Sequence, residues 1–169
     1  MRGLTLTVAA IAAALFVPAA LADKRDPPVP AKDGCLVVDN GQGAITVSAT
    51  GGIFGRFDQG RVTIDDLSPG GKGPKVFGAE LVRTVTETRT VYVGTDVRFR
   101  FTDGGAYKVS VTAVGIDLSA IGHGWAVLNG GGFFEPGTFS TDADSLCSKS
   151  FKAMPRTPTK LQLGAVSTP

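Results

Sequence analysis

Residues 97–114 have the sequence VRFRFTDGGAYKVSVTAV, and they decide the fold class. Apolar side chains alternate with polar ones on both sides of Asp103-Gly104-Gly105. A period of two is typical of a β-strand with one buried face, and Asp and Gly favour turns. The stretch therefore predicts a hairpin with a three-residue loop. Its facing pairs would be Phe101–Tyr107, Phe99–Val109, Val97–Val111 and, as a like-charged defect, Arg100–Lys108.

The rest of the chain repeats this pattern of short apolar runs rich in β-branched residues, separated by glycine-containing turns. No helical period of 3.6 is present after residue 22. We expect an antiparallel β-sandwich, with a small β-barrel as the alternative. The predicted strands are 44–49, 61–65, 76–82, 88–93, 97–101, 107–114 and 125–128, with shorter ones at 36–38, 137–140 and 159–163. Turns are predicted at Asn40-Gly41, Pro69-Gly70-Gly71, Asp103-Gly104-Gly105 and Asn129-Gly130.

A candidate internal two-fold repeat relates residues 45–66 to residues 109–130 without gaps. Val47 aligns with Val111 (111 − 47 = 64), and four of the aligned residues are identical. Conservative pairs include Phe54/Leu118 and Phe57/Ile121. If the repeat is structural, the two copies form similar strand pairs about a pseudo-two-fold axis.

The two ends of the chain differ from its centre. Arg2, an uncharged apolar run and Ala20-Leu21-Ala22 predict a cleavable signal peptide over residues 1–22; a membrane anchor is the alternative, although the run is short for one. Residues 23–33 are expected to form a flexible Pro-rich leader, 34–163 a single domain and 164–169 a disordered tail. The mature chain would have no transmembrane segment, and we expect it to be secreted or held in the cell envelope.

The two cysteines, Cys35 and Cys147, lie near opposite ends of the predicted domain. In an exported chain an even cysteine count favours a disulfide; two buried free thiols are the alternative. A bond would close a loop of 112 residues (147 − 35) and requires Cα atoms within about 7 Å.

The composition offers little chemistry. The net charge of +2 falls to +1 once Arg2 is removed, which argues against nucleic-acid binding. The Gly-rich stretch 69–75 lacks the Gly-Lys-Ser/Thr of a phosphate-binding loop. The single histidine, His123, lies between two glycines and is expected in an exposed turn, with Ser119 and Asp117 as its nearest candidate triad partners. Asp65-Asp66 and Asp142–Asp144 are expected to serve strand ends and loops. We therefore expect no catalytic residue, no metal and no cofactor.

Two sets of side chains remain as candidate ligand contacts. Tyr107, Trp125, Phe133 and Phe134 are large aromatics that could stack on sugar rings; Tyr107 and Trp125 are expected in the core, and one of the adjacent phenylalanines outside it. Arg98, Arg100 and Lys108 would form a basic strip, whose alternative is a plain solvated face. The partner would be an anionic envelope glycopolymer or a carbohydrate.

Residues 115–124 (GIDLSAIGHG) and 57–62 (FDQGRV) resemble sequence in an uncharacterised family of exported all-β proteins from high-GC bacteria. The resemblance implies the fold class and export but brings no activity with it. We therefore expect a non-catalytic binding or structural module. A carbohydrate-binding module and a small extracellular hydrolase are the alternatives.

Overall fold

The computed structural model describes residues 33–139, 147 and 150–164 and is built from β-strands. The expected signal peptide, most of the leader and of the tail, and Asp142–Asp144 lie outside the described residues. The strands are β1 (Gly34–Asp66), β2 (Lys75–Thr84), β3 (Arg89–Phe101), β4 (Ala106–Thr138), β5 (Lys152–Ala153) and β6 (Thr159–Leu163). They form one antiparallel sheet in the order β2-β3-β1-β4-β5, with β6 also on β4. The all-β, antiparallel prediction is confirmed. The described residues contain no helix long and apolar enough to cross a membrane.

Two strands of 33 residues each, β1 and β4, dominate the sheet and pair with each other twice. Thr50 pairs with Ala106 on one edge of β1 and with His123 on the other. In a straight strand those two partners, 17 residues apart (123 − 106), would be separated by about 56 Å at roughly 3.3 Å per residue. The strands must therefore curl until the sheet lies back over itself.

Glycines make this curling sterically feasible. Gly51 and Gly122, which face each other, both have a φ of +142°, a region that L side chains rarely adopt. A Cβ on Gly51 would lie 2.2 Å from the Ile121 carbonyl oxygen, and one on Gly122 would lie 2.1 Å from that of Thr50. The two backbones touch where the ribbon bends, so neither position has room for a side chain.

The predicted hairpin at residues 97–114 is wrong, because β3 and β4 do not pair with each other. β3 runs along β1 from Asp65 to Ile53, and the first half of β4 then continues along the same edge of β1 from Thr50 to Gly34. Residues 102–105 interrupt this run without reversing it. Phe101 and Tyr107 nevertheless touch, with ring centroids 4.4 Å apart.

Two other predicted turns are also wrong. Asn40-Gly41 and Asn129-Gly130 lie inside β1 and β4, where Asn40 (φ 47°) and Gly130 (φ 154°) bend the strand without ending it. The separate runs predicted on either side of them are parts of single strands. The strand predicted at 159–163 matches β6.

The register of the sheet has the predicted two-fold relation. Val47 pairs with Val109 and Ala126, and Val111 pairs with Ile45 and Val62. Over residues 42–66 of β1, exchanging each residue with the one 64 positions later, in β4, converts the pairs of Val47 into those of Val111. The axis passes through Thr46 and Ser110, whose hydroxyls hydrogen-bond at 3.2 Å.

The symmetry weakens in the middle of each copy. Leu118 is 2% exposed, whereas its counterpart Phe54 is 43% exposed. The two copies thus share the flanking strands and differ at the bend, where Phe54 turns outward.

A single apolar core fills the space enclosed by the curled sheet. Its largest fully buried side chains include Tyr107, Phe57, Phe101, Leu36 and Ile45. Cys35 and Cys147 are bonded, with Cα atoms 5.9 Å apart, as predicted. The bond joins Cys147 to the second residue of β1.

Candidate functional site

The candidate site is a groove on the outer face of the sheet, where Phe54 turns outward. Successive residues of a strand point to opposite faces, so the inward Phe99 leaves Arg98 and Arg100 outside. Neighbouring strands place further outward side chains beside them. The groove has a volume of about 910 Å³, and its wall includes Phe54, Phe77, Phe151, Arg56, Arg98, Arg100 and Asp117. Such a volume is typical of small-ligand sites.

One row of cross-strand neighbours begins at Lys75, beside the groove, and runs across it. Lys75 pairs with Arg100, Arg100 with Phe54, and Phe54 with Ser119. Directly opposite side chains in a sheet have Cβ atoms about 5 Å apart, and like charges so placed destabilise it. Among the described residues neither Lys75 nor Arg100 has a carboxylate partner. The row therefore presents two uncompensated cations beside an exposed aromatic ring.

The next row also places two arginines opposite each other, but both are compensated. Arg56 donates from Nε to Asp117 Oδ2 at 2.8 Å, and its Nη2 lies 2.7 Å from the same oxygen. Arg98 lies 3.0 Å from Asp96. Partial burial acts to raise the pKa of Asp117, but hydrogen bonds from the Asn40 N–H and from Arg56 outweigh it and hold that pKa below its usual value. Asp117 therefore remains ionised and neutralises Arg56.

Apolar surface borders both rows. Phe54, Phe77 and Phe151 are 43%, 57% and 50% exposed and come from β1, β2 and the residue before β5. Large apolar side chains in a concave site are common contacts for ligands. The groove thus combines three exposed rings with the free charge of Arg100.

The predicted basic strip is only partly assembled. Arg98 and Arg100 lie in the groove, but Lys108 is a neighbour of Asp65, and Asp65 is nine residues along β1 from Arg56. At about 3.3 Å per residue that is roughly 30 Å along the strand. Lys108 therefore belongs to another part of the face, because the hairpin that would have brought it to Arg100 does not form.

The four predicted aromatics do not form one platform. Tyr107 is fully buried, as expected, whereas the expectation that Trp125 lies in the core is wrong: it is half-buried on the outer face, with Lys160 Nζ 5.1 Å from its ring centroid. Phe133 is exposed and Phe134 buried, as expected for neighbours on a strand. Phe54 and Phe77, which do line the groove, were not predicted; they lie beside glycines without a strict alternating pattern.

The candidate catalytic residues are dispersed. His123 is exposed but lies within β4 rather than in a turn, and its Nδ1 is 2.8 Å from Asp33 Oδ1. Asp117 is engaged with Arg56, so the triad of His123, Ser119 and Asp117 does not form. Asp65 forms an ion pair with Arg89, and Asp66 accepts from the Ser68 N–H. Across the part of the chain that the structure describes, no three His, Cys, Asp or Glu side chains are placed to hold a metal ion.

A buried carboxylate limits the far side of the groove. Glu135 pairs with Val37, which lines the groove, and is 4% exposed. Its Oε1 has no hydrogen-bond partner among the described residues. The cation without a carboxylate partner thus lies at the Arg100 end of the groove, and a buried carboxyl group lies beside Val37 at the other end.

Comparison with protein-family models, with curated proteins and with solved structures finds no match to this chain.

Proposed function

We propose that the chain is an exported, non-catalytic binding module that holds an acidic glycopolymer in the outer-face groove. The observation that carries the proposal is the uncompensated pair Lys75–Arg100 next to Phe54. An anion between the two cations would relieve their repulsion, and a sugar ring has an apolar face that packs on an aromatic side chain.

The site suits a polymer better than a compact ligand. The groove is open, its rings come from three separate elements, and its unpaired charge lies at one end. A chain of sugars can use this layout with one residue on Phe54 or Phe77 and its acidic group on Arg100. The guanidinium can bind a carboxylate or a phosphate with two parallel hydrogen bonds.

Export is part of the proposal and is supported by the disulfide, because such bonds persist in oxidising compartments. The amino-terminal pattern of residues 1–22 and the resemblance to exported proteins point the same way. The absence of catalysis is proposed from the dispersal of His123, Ser119 and Asp117. Turnover of an ester, peptide or glycoside that is lost in His123→Ala would overturn that part.

The test is calorimetric titration with an oligogalacturonate and with its fully methyl-esterified form. The two have the same sugar rings, so the comparison isolates charge. We expect the acid to bind at least about tenfold more tightly than the ester, which corresponds to about 1.4 kcal/mol. This difference in affinity should shrink in 0.5 M salt, because salt screens the exposed charges.

Variants locate the site. Arg100→Gln should weaken the acid about tenfold and leave the ester unchanged, whereas Phe54→Ala should weaken both. Lys108→Gln is the matched control, since it removes one cation from the same face outside the groove. Equal binding of acid and ester, or equal losses in Arg100→Gln and Lys108→Gln, would contradict the proposal.

An uncharged carbohydrate bound at Trp125 is the less favoured alternative. Lys160 lies over one face of that ring and would have to move before a sugar could stack there.

A further inference from the structure

The free edge of β2 is a second interaction surface, distinct from the groove. β2 is the last strand in the sheet order and pairs only with β3 among the described strands. In an antiparallel ladder, alternate residues direct their backbone N–H and C=O groups away from the neighbour they pair with. Half of the β2 residues therefore present these groups at an open edge, where another strand can add.

Exposed apolar side chains are concentrated on the β2–β3 hairpin. Ten large apolar side chains are exposed among the described residues, and five of them belong to this hairpin and its turn. Phe77 lines the groove; the other four do not: Leu81, Val82, Val85 and Val93. Leu81 and Val82 are 59% and 55% exposed. They point to opposite faces, so both faces of the strand are apolar at the edge. A partner that adds here would cover apolar surface above and below the ladder.

We propose that β2 pairs antiparallel with β2 of a second copy of this chain, with the two-fold axis at Val82. A two-fold axis perpendicular to the sheet keeps each residue on its own face of the sheet. Two facing residues must then both have even numbers or both have odd numbers. One residue therefore lies on the axis and faces the same residue of the second copy. Centring on Glu80 or on Arg83 would oppose identical charges. Centring on Leu81 would extend pairing into Ala79, where the β2 ladder is irregular.

The register centred on Val82 opposes no like charges, and only its outermost residue, Glu80, lies at the irregularity between Ala79 and Leu81. It uses residues 80–84, and its only charged residues face an uncharged partner. The pairs are Glu80–Thr84, Leu81–Arg83 and Val82–Val82, each of the first two occurring twice. Five facing residues make a small interface, so we expect a dissociation constant of about 10–100 µM.

The dimer would extend the proposed function, on which this consequence rests. Because the axis is perpendicular to the sheet, both outer faces point to the same side. The two grooves then lie on one continuous face, and a polymer with repeated acidic groups could engage both, which raises its effective affinity.

Sedimentation of the full chain over a concentration series tests the dimer without any ligand. Val82→Lys places two like charges together at the axis and should weaken association at least about tenfold. Val114→Lys is the matched control, because Val114 is 48% exposed on β4, away from β2.

Leu81 tests the register. Leu81→Lys opposes Arg83 of the second copy and should also weaken association at least about tenfold, whereas Leu81→Glu provides two new ion pairs and should keep or strengthen the dimer. Wild-type protein that stays monomeric up to about 1 mM would overturn the proposal, as would equal effects of the two Leu81 substitutions.

Crosslinking gives an independent measurement in protein that keeps its fold. Facing residues of an antiparallel pair have Cα atoms about 4.5–5.5 Å apart, within disulfide range. Val82→Cys should crosslink to itself under mild oxidation, since Cys35 and Cys147 are already bonded to each other. Val114→Cys should not. Equal crosslinking of the two variants would refute the Val82 axis.

Discussion

The hydrogen bond between Tyr107 and Asp103 gives the sharpest test of the core. Tyr107 is fully buried, and its hydroxyl donates to Asp103 Oδ2 at 2.8 Å. Tyr107→Phe removes this bond and leaves the ring, which packs on Phe101. A hydrogen bond to a charged group contributes about 1.5–3 kcal/mol. Asp103 is exposed and regains water, so we expect the free energy of unfolding to fall by an amount at or below the lower limit of that range, about 1–1.5 kcal/mol.

Urea unfolding of a double-mutant cycle measures this coupling. The cycle contains wild type, Tyr107→Phe, Asp103→Asn and the double variant, and its coupling energy should be about 1 kcal/mol at pH 7. A loss of about 3–5 kcal/mol is expected for Tyr107→Ala, which also removes the ring. If Tyr107→Phe is as stable as wild type, or if the coupling is zero, the reasoning about this pair is refuted.

The same pair predicts the direction of the pH dependence. The Tyr107 hydroxyl, followed by the Gly105 N–H, lowers the pKa of Asp103. A lowered folded-state pKa contributes stability above the unfolded value of 3.8, and this stability is lost as the pH falls through the lower folded pKa. The difference between wild type and Tyr107→Phe should therefore shrink below about pH 3.8.

The opposite sign holds at alkaline pH. Burial, followed by the hydrogen bond to Asp103, raises the pKa of Tyr107 above its usual value of 10. The hydroxyl ionises more readily in the unfolded chain, so stability is lost as the pH rises above about 10. Tyr107→Phe should lose less stability in that range than wild type.

Further predictions concern the disulfide, one glycine and processing. Cys35→Ser/Cys147→Ser should lower the free energy of unfolding by up to about 4.7 kcal/mol, the chain-entropy value for a loop near 100 residues, as measured by urea unfolding; no loss would contradict a stabilising bond. Gly55→Ala should destabilise by about 1–3 kcal/mol in the same assay, because its Cβ would lie 2.3 Å from Phe99 Cζ; Gly70→Ala, which meets no atom within 4 Å but has a φ of 118°, measures backbone strain alone. Intact mass of exported protein should place the first residue at Asp23, and a chain that still begins at Met1 would contradict cleavage.

Local pattern was sufficient to predict segments that lie in strands, but not the length of the strands or their partners. Alternation at Val97–Phe101 and at Tyr107–Val109 predicts which side chains face a core. The apolar side chains of both segments are buried in the core of the structure. It does not show which strand lies alongside. Asp103-Gly104-Gly105 is compatible with a hairpin turn that reverses the chain or with a short break between two strands that run in the same direction. β1, which is far away in sequence, selects the break because it pairs with both β3 and β4.

Glycine was the main source of error within strands. Asn40-Gly41 and Asn129-Gly130 are turn signals in an isolated segment, but in long curled strands the same conformational freedom serves bending. The offset of 64 residues was the one long-range signal in the sequence, and the register of β1 and β4 agrees with it.

The candidate site was only half predicted for the same reason. Arg98 and Arg100 could be assigned to an exposed face from alternation alone. Their like-charged neighbours, Lys75 and Arg56, come from strands whose pairing local sequence does not encode. Phe54 gave no signal, because it follows the apolar Ile53 directly and precedes Gly55, so the sequence does not alternate there although the structure buries Ile53 and exposes Phe54.

The most direct test of the central claim is an NMR titration of ¹⁵N-labelled protein with an oligogalacturonate. We predict that the perturbed amides lie in residues 54–56, 75–77 and 98–100, and that the perturbations saturate together and disappear in Arg100→Gln. Perturbations confined to the surface around Trp125 and Phe133, or none at concentrations up to several millimolar, would contradict the assignment of the groove as the ligand site.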